Sequence, residues 1–238
     1  MSIGRNLEFL TEKTGYTFSN IDYLQESLTH SSYANEMRAK GIVFKSNERL
    51  EFLGDSVLET VVSKYLYDNY KNSSEGALTK MRQYLVCEKT LAKIAAEIEL
   101  GEYIHLGKGE ELTDCRRRPK VLADSLEALI GAMYLDSLES GRDAYTTIIL
   151  ELFKEEINTA SAMQKGDYKT LLQQLVETDG AAILEYEVTE ESGPEHNKTF
   201  TVVAKVNNNV FGKGTARSKK AAEMEAARTA LSVFGIGV

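Results

Sequence analysis

The stretch NERLEFLGDSVL, residues 47–58, sets three carboxylates into eight positions of an otherwise apolar helical pattern. On a wheel of about 100° per residue with Glu51 at the origin, Asp55 falls about 40° away and Glu48 about 60° away. Leu58 and Val62 lie within roughly 20° of Glu51, and Leu66 falls beside Glu48. Glu51 therefore occupies an arc that is otherwise apolar, with Asp55 and Glu48 at its edge. An unpaired carboxylate in such a place is costly unless it is protonated, hydrogen-bonded or bound to a cation. The pattern predicts one long helix from about residue 47 to 70, and a helical fold around it.

A second acidic pair strengthens this reading. In VLADSLEALIGAMYL, residues 121–135, only Asp124, Ser125 and Glu127 are polar. A helix apolar almost all the way round is a buried helix. Asp124 and Glu127, three positions apart, are neighbours on its surface. With no base inside the segment, they need a positive partner from elsewhere. An isolated helical Glu is ordinarily a surface residue or a salt-bridge partner. Two pairs inside apolar arcs favour a metal or catalytic role. Oxygen-only ligands suit a hard cation such as Mg²⁺, and carboxylates with Mg²⁺ point to phosphodiester hydrolysis.

The rest of the chain sets the frame. Its 238 residues are 42% apolar and 27% charged, enough for one large domain or two smaller ones. No apolar run approaches the roughly 18 residues that span a bilayer. MSIGRNLEFLTEK lacks a basic start followed by an apolar core, so no secretory signal and no membrane association are expected. Cys87 and Cys115 are the only cysteines, which suggests no disulfide framework and a cytoplasmic setting. The net charge of −8 argues against bulk electrostatic coating of nucleic acid. Residues 1–166 carry −6 and residues 167–238 carry −2, so any nucleic-acid contact has to come from local clusters.

Up to about residue 158 the sequence reads as successive helices. NLEFLTEKTGYTF and NIDYLQESLTHSSYANEM come first, the second with Asn20 as N-cap. EGALTKMRQYLVCEKTLAKIAAEIEL reads as two helices, Pro119 is placed to start the buried acidic one, and a closing helix is expected near 143–157. TASAMQKGD is small and polar, giving a flexible linker over 159–166. Beyond it the grammar changes. KTLLQQLVE is a short helix, ILEYEVTEE, TFTVVAKV and VFGKG read as strands with NNN as a turn, and SKKAAEMEAARTALSVF is an amphipathic helix. The expected fold is thus an all-α domain over 1–158 and a small α+β domain, α-β-β-β-α, over 167–236.

NERLEFLGDSVL resembles the signature stretch of the ribonuclease III family, LADSLEALIGAMYLD its second acidic helix, and THSSYANE an early segment of the same family. The likeness runs from about residue 5 to 232. It implies a helical endonuclease domain in which Glu51, Asp124 and Glu127 ligate Mg²⁺ (Mn²⁺ as a substitute). Asp55 and Glu127 become the residues whose loss stops chemistry, and Glu48 and Glu75 take supporting roles. The implied reaction is hydrolysis of both strands of double-stranded RNA by a homodimer, leaving 5′-phosphates and 3′-hydroxyls, without an organic cofactor. Processing of ribosomal, messenger and other RNA is the implied setting. Gly54 suits close approach of another backbone, either a second subunit's or the chain's own. RRRPK, residues 116–120, could hold phosphate or offset the acidic site. His30 and His105 lack ligand spacing and read as structural, and Tyr65, Tyr67 and Tyr70 as packing.

KVNNNVFGKGTARSKK, residues 205–220, carries Lys205, Lys213, Arg217, Lys219 and Lys220 and no acid. It ends where a helix begins, a place suited to phosphate oxygens. The element order, GPEHNK between the first two strands and SKKAAEMEAA opening the last helix resemble the double-stranded RNA-binding domain. The resemblance implies groove contacts by Thr170, Gln173 and Gln174 and by His196, and phosphate contacts by Ser218, Lys219 and Lys220. Many members have Glu where this chain has Gln174. Such domains read duplex shape over about 16 base pairs. The alternative from another class is a non-catalytic duplex-binding protein, which would be expected to lack one or more of the six acids.

Overall fold

Among the described residues the first two-thirds of the chain is helical with helical periodicity, and strands with alternating polarity come only near its end, so the molecule divides accordingly. The computed structural model describes residues 7–141, 144–178, 182–194 and 197–236, and the chain separates into units at Met1–Ile157 and Asn158–Val238. Among the described residues the first unit holds α1 (Leu7–Thr14), α2 (Ile21–Ser27), α3 (Ser31–Ala39), α4 (Glu48–Asn69), α5 (Glu75–Val86), α6 (Glu88–Glu97), α7 (Lys108–Glu111), α8 (Pro119–Ser140) and α9 (Tyr145–Leu152). α10 (Lys154–Gln164) begins in it. No helix is long and apolar enough to cross a membrane among the described residues.

α4 and α8 form the principal helix pair. Leu58, Val62 and Leu66 of α4 and Leu126, Leu129, Ile130 and Met133 of α8 are buried in the core they share with α6. Pro119 opens α8, where its missing N–H is harmless, and Gly141 closes it at φ 68°. Asp136, 1% exposed near the end of α8, anchors the start of α2. It accepts hydrogen bonds from Tyr16 Oη (2.9 Å), Ser19 N (3.0 Å) and Asn20 N (2.7 Å).

Three sequence expectations change. The stretch 20–37 is not one helix but two, because its polar centre finds better partners than the helix ladder. Thr29 bridges His105 in a single parallel β-bridge, and His30 Nδ1 caps α3 by accepting from Ser32 N at 3.2 Å. The closing helix expected over 143–157 is likewise two, α9 and α10. The expected linker over 159–166 is helical as far as Gln164, with Ala160 buried and Gly166 at φ 69°. Ala162 and Met163 pack against the core of the second unit.

The second unit contains α11 (Tyr168–Thr178), β1 (Leu184–Ser192), β2 (Thr199–Val206), β3 (Asn209–Ala216) and α12 (Lys219–Val233). The sheet is antiparallel in the order β1-β2-β3. Asn207 and Asn208, at φ 48° and 68°, make the tight β2–β3 turn. Val202, Ala204 and Val206 face the core with Leu171, Leu172, Ala222, Ala226 and Ala230. Gly212 and Gly214 let α12 lie directly on β3. A Cβ on Gly212 would overlap the Ala226 carbonyl oxygen, and one on Gly214 that of Ala222.

Candidate active site

Two glycines create the site. A Cβ on Gly54 of α4 would overlap the carbonyl oxygen of Glu127 and lie 2.9 Å from the Gly131 amide nitrogen. A Cβ on Gly131 of α8 would overlap the Leu50 carbonyl oxygen. The helices therefore cross backbone to backbone, and the acids on either side of the crossing meet. Carboxylate oxygens of Glu51, Asp124 and Glu127 all lie within 4.8 Å of one another. Among the described residues this is the one cluster of that kind. Of the two readings of Gly54, the chain's own packing accounts for it.

The three clustered acids are half-buried, whereas Asp55 and Glu48 are exposed beside them. Glu48 accepts a hydrogen bond from Ser46 Oγ at 2.8 Å. Burial, and then the negative charges of Asp55, Asp124 and Glu51, push Glu127 up to about 7. Burial and the neighbouring Asp124 raise Glu51 in the same direction. Lys120, one turn before Asp124, opposes both and pairs with Asp124 at 3.1 Å. One ammonium facing three crowded carboxylates leaves excess negative charge. The donor set, oxygen throughout with no sulfur or imidazole, fits a hard divalent cation that would relieve it.

The basic run 116–120 divides its roles. Arg116 donates to the Gly101 carbonyl at 2.6 Å and pairs with Glu111, and Arg118 pairs with Glu110 at 3.4 Å. Only Lys120 faces the acidic cluster, and sequence spacing alone had not separated it from its neighbours. His30 and His105 take the structural places described above, with His105 also against the Tyr33 ring. Tyr65 and Tyr70 pack edge to face, but Tyr67 is 75% exposed and departs from the packing expectation.

Glu75 is not brought to the cluster within this chain. It opens α5, accepts from Thr79 Oγ1 at 3.0 Å and lines a cavity of about 530 Å³ with Ser63, Leu66, Tyr67 and Arg82. That stretch of α4 lies more than three turns from Glu51, roughly 20 Å at 1.5 Å per residue. Phe52, next to Glu51, is 80% exposed, an apolar surface the helical pattern did not flag.

In the second unit Thr170, Gln173 and Gln174 share the exposed surface of α11. Ser218 caps α12 by accepting from Ala221 N at 3.2 Å, and Lys219 and Lys220 follow it on the exposed first turn. His196 lies outside the described residues.

Residues 20–157 match the family model described as Ribonuclease-III-like, and residues 168–233 match the double-stranded RNA binding motif. The chain is 44% identical over 225 residues to Ribonuclease 3 of Listeria monocytogenes, covering 94% of this chain and 96% of that protein. It is 47% identical over 231 residues to Ribonuclease 3 of Caldanaerobacter subterraneus, covering 97% and 99%. The solved nuclease domain of a Campylobacter jejuni ribonuclease III, described for flexibility in a region involved in dimer formation, matches at a TM-score of 0.56 and 39% identity. It covers 63% of this chain and 98% of its own. By the span of the first family model and by relatives matched over nearly the whole chain, the protein belongs to the ribonuclease III family.

Proposed function

We propose that this protein is a metal-dependent endoribonuclease that hydrolyses both strands of double-stranded RNA, leaving 5′-phosphates and 3′-hydroxyls. The observation that carries the reading is the meeting of Glu51, Asp124 and Glu127 at the Gly54–Gly131 crossing, with Asp55 exposed at its edge. Glu51, Asp124 and Glu127 hold Mg²⁺, for which Mn²⁺ can stand in. When bound, the cation supplies positive charge that activates water and stabilises the oxygens of the scissile phosphate.

The chain's own groups do the rest. Asp55 and Glu48 accept hydrogen bonds from the attacking water, orienting its oxygen toward phosphorus as the bond to the 3′-oxygen breaks. The water gives up a proton to solvent, and the departing 3′-oxygen takes one up from solvent to become the hydroxyl. Lys120 balances Asp124 and limits the repulsion that metal-free carboxylates exert on RNA. Residues 1–158 perform the chemistry. Residues 167–236 grip the duplex through Thr170, Gln173 and His196 in the minor groove and through Ser218, Lys219 and Lys220 on phosphate. Glu75 takes part only if it is supplied to another chain's cluster, which the homodimer reading allows. Exposed Phe52 and the dimer-forming region of the Campylobacter jejuni relative support that reading. The setting is the cytoplasm, and the substrates are ribosomal, messenger and other RNA precursors with duplex segments.

Glu127→Gln tests the assignment. Cleavage of a long RNA duplex in Mg²⁺, followed by sizing and end analysis of the products, is expected to fall about 10²-fold or more. Duplex binding stays within about twofold of the parent. Undiminished cleavage by this variant rejects the catalytic assignment.

A further inference from the structure

In the second unit one carboxylate already occupies two lysines. Glu191 stands near the end of β1, directly opposite Phe200 in the β1–β2 register. Its Oε1 takes the Lys219 ammonium at 2.8 Å, and its Oε2 takes the Lys198 ammonium at 3.1 Å. Both ammoniums also lie over the Phe200 ring, 5.4 Å and 5.9 Å from its centroid. The ring and the strand register thus preset two cations from different elements, the β1–β2 connection and the start of α12, around one anion.

A phosphodiester group carries the same single negative charge and offers two non-bridging oxygens where the carboxylate offers two. We propose that Lys198 and Lys219 form a two-lysine seat for one backbone phosphate of the RNA duplex, and that Glu191 is its built-in competitor. This rests on the reading of Lys219 as a phosphate contact, and adds to it both Lys198 and the displacement of Glu191. Seating a phosphate exchanges one anion for another, so the two lysines add less to affinity than unopposed lysines would. The ion pairs are solvent-exposed and individually weak, which keeps the exchange easy. A competitor of this kind lowers residence time on any duplex without removing the contact.

The test uses the full-length protein, a duplex of roughly 30 base pairs and chelator to prevent cleavage, with Kd read at about 0.1 M salt and again at higher salt. Glu191→Gln keeps the side-chain shape and removes the competing charge. Binding is expected to tighten about threefold or more, with the gain shrinking as salt rises. Lys198→Ala is expected to weaken binding about threefold, and adding it to Glu191→Gln removes most of the gain. Melting temperatures accompany each variant, and Glu191→Ala provides a second way of removing the charge. Unchanged or weaker binding by both Glu191 variants at parental melting temperature overturns the inference. Parental binding by Lys198→Ala overturns the two-lysine seat. Lys219→Ala separates the levels: if it leaves Kd unchanged, the reading of Lys219 as a phosphate contact fails, whatever the Glu191 variants do.

Discussion

At the scale of single residues the site is defined by charge crowding. Glu127 carries its proton to about pH 7 because burial and three neighbouring acids disfavour its ionised form. The unfolded chain has lost that proton by an ordinary carboxyl value near 4.5. In metal-free protein the native state therefore binds more protons between about pH 4.5 and 7, and stability declines as pH rises through that window. The loss attributable to Glu127 is at most about 3 kcal/mol. Thermal melts in chelator at pH 5 and pH 8 are expected to show a larger drop for the parent than for Glu127→Gln, which cannot ionise. Equal drops would remove Glu127 as the source. A divalent cation competes with the same proton, so its apparent affinity rises over that range. The sequence disclosed which acids to watch, since Glu51, Asp124 and Glu127 break apolar arcs. It did not disclose that Lys120 faces Asp124 while Arg116 turns to Glu111 and the Gly101 carbonyl and Arg118 to Glu110, because all belong to one basic run.

Helix pairs set the next scale. The acids meet only because α4 and α8 touch through Gly54 and Gly131, so side chains there act on geometry rather than on chemistry. Gly54→Ala places a methyl group into the Glu127 carbonyl and is expected to destabilise the protein by about 3 kcal/mol, with a matching loss of cleavage as the crossing opens. Gly76→Ala is the informative comparison, because a Cβ there meets nothing within 4 Å. In α5 it is expected to stabilise by roughly 0.5–1 kcal/mol. Chemical denaturation of both variants measures the contrast, and similar effects at the two sites would exclude the close crossing. Helix existence was legible from periodicity, as α4, α8 and the α11-to-α12 order show. Breaks were less so. The single helix expected over 20–37 splits at Thr29 because its partner, His105, lies far along the chain. No local pattern reports a bridge of that span.

For the whole molecule, the two units carry different surfaces. One carries the acidic cluster, and the other a local excess of lysine inside a segment of net negative charge. Removing residues 167–238, after the end of α10, is expected to weaken duplex binding by about tenfold or more near physiological salt and less at low salt, where nonspecific attraction is stronger. The acidic cluster remains, so the truncated protein retains metal-dependent cleavage at low salt. Equal binding by truncated and full-length protein at physiological salt, read by mobility shift in chelator, would refute this expectation.

The amino-acid order settled the helical and α-β-β-β-α grammars and marked Glu51, Asp124 and Glu127 as carboxylates set among apolar neighbours, because periodicity and polarity are local properties written along one element. Three-dimensional packing settled which acids meet, which lysine faces them and where Glu75 stands. Those relations depend on the close approach of Gly54 to Glu127 and on the span of α4, distances that no spacing along the chain encodes.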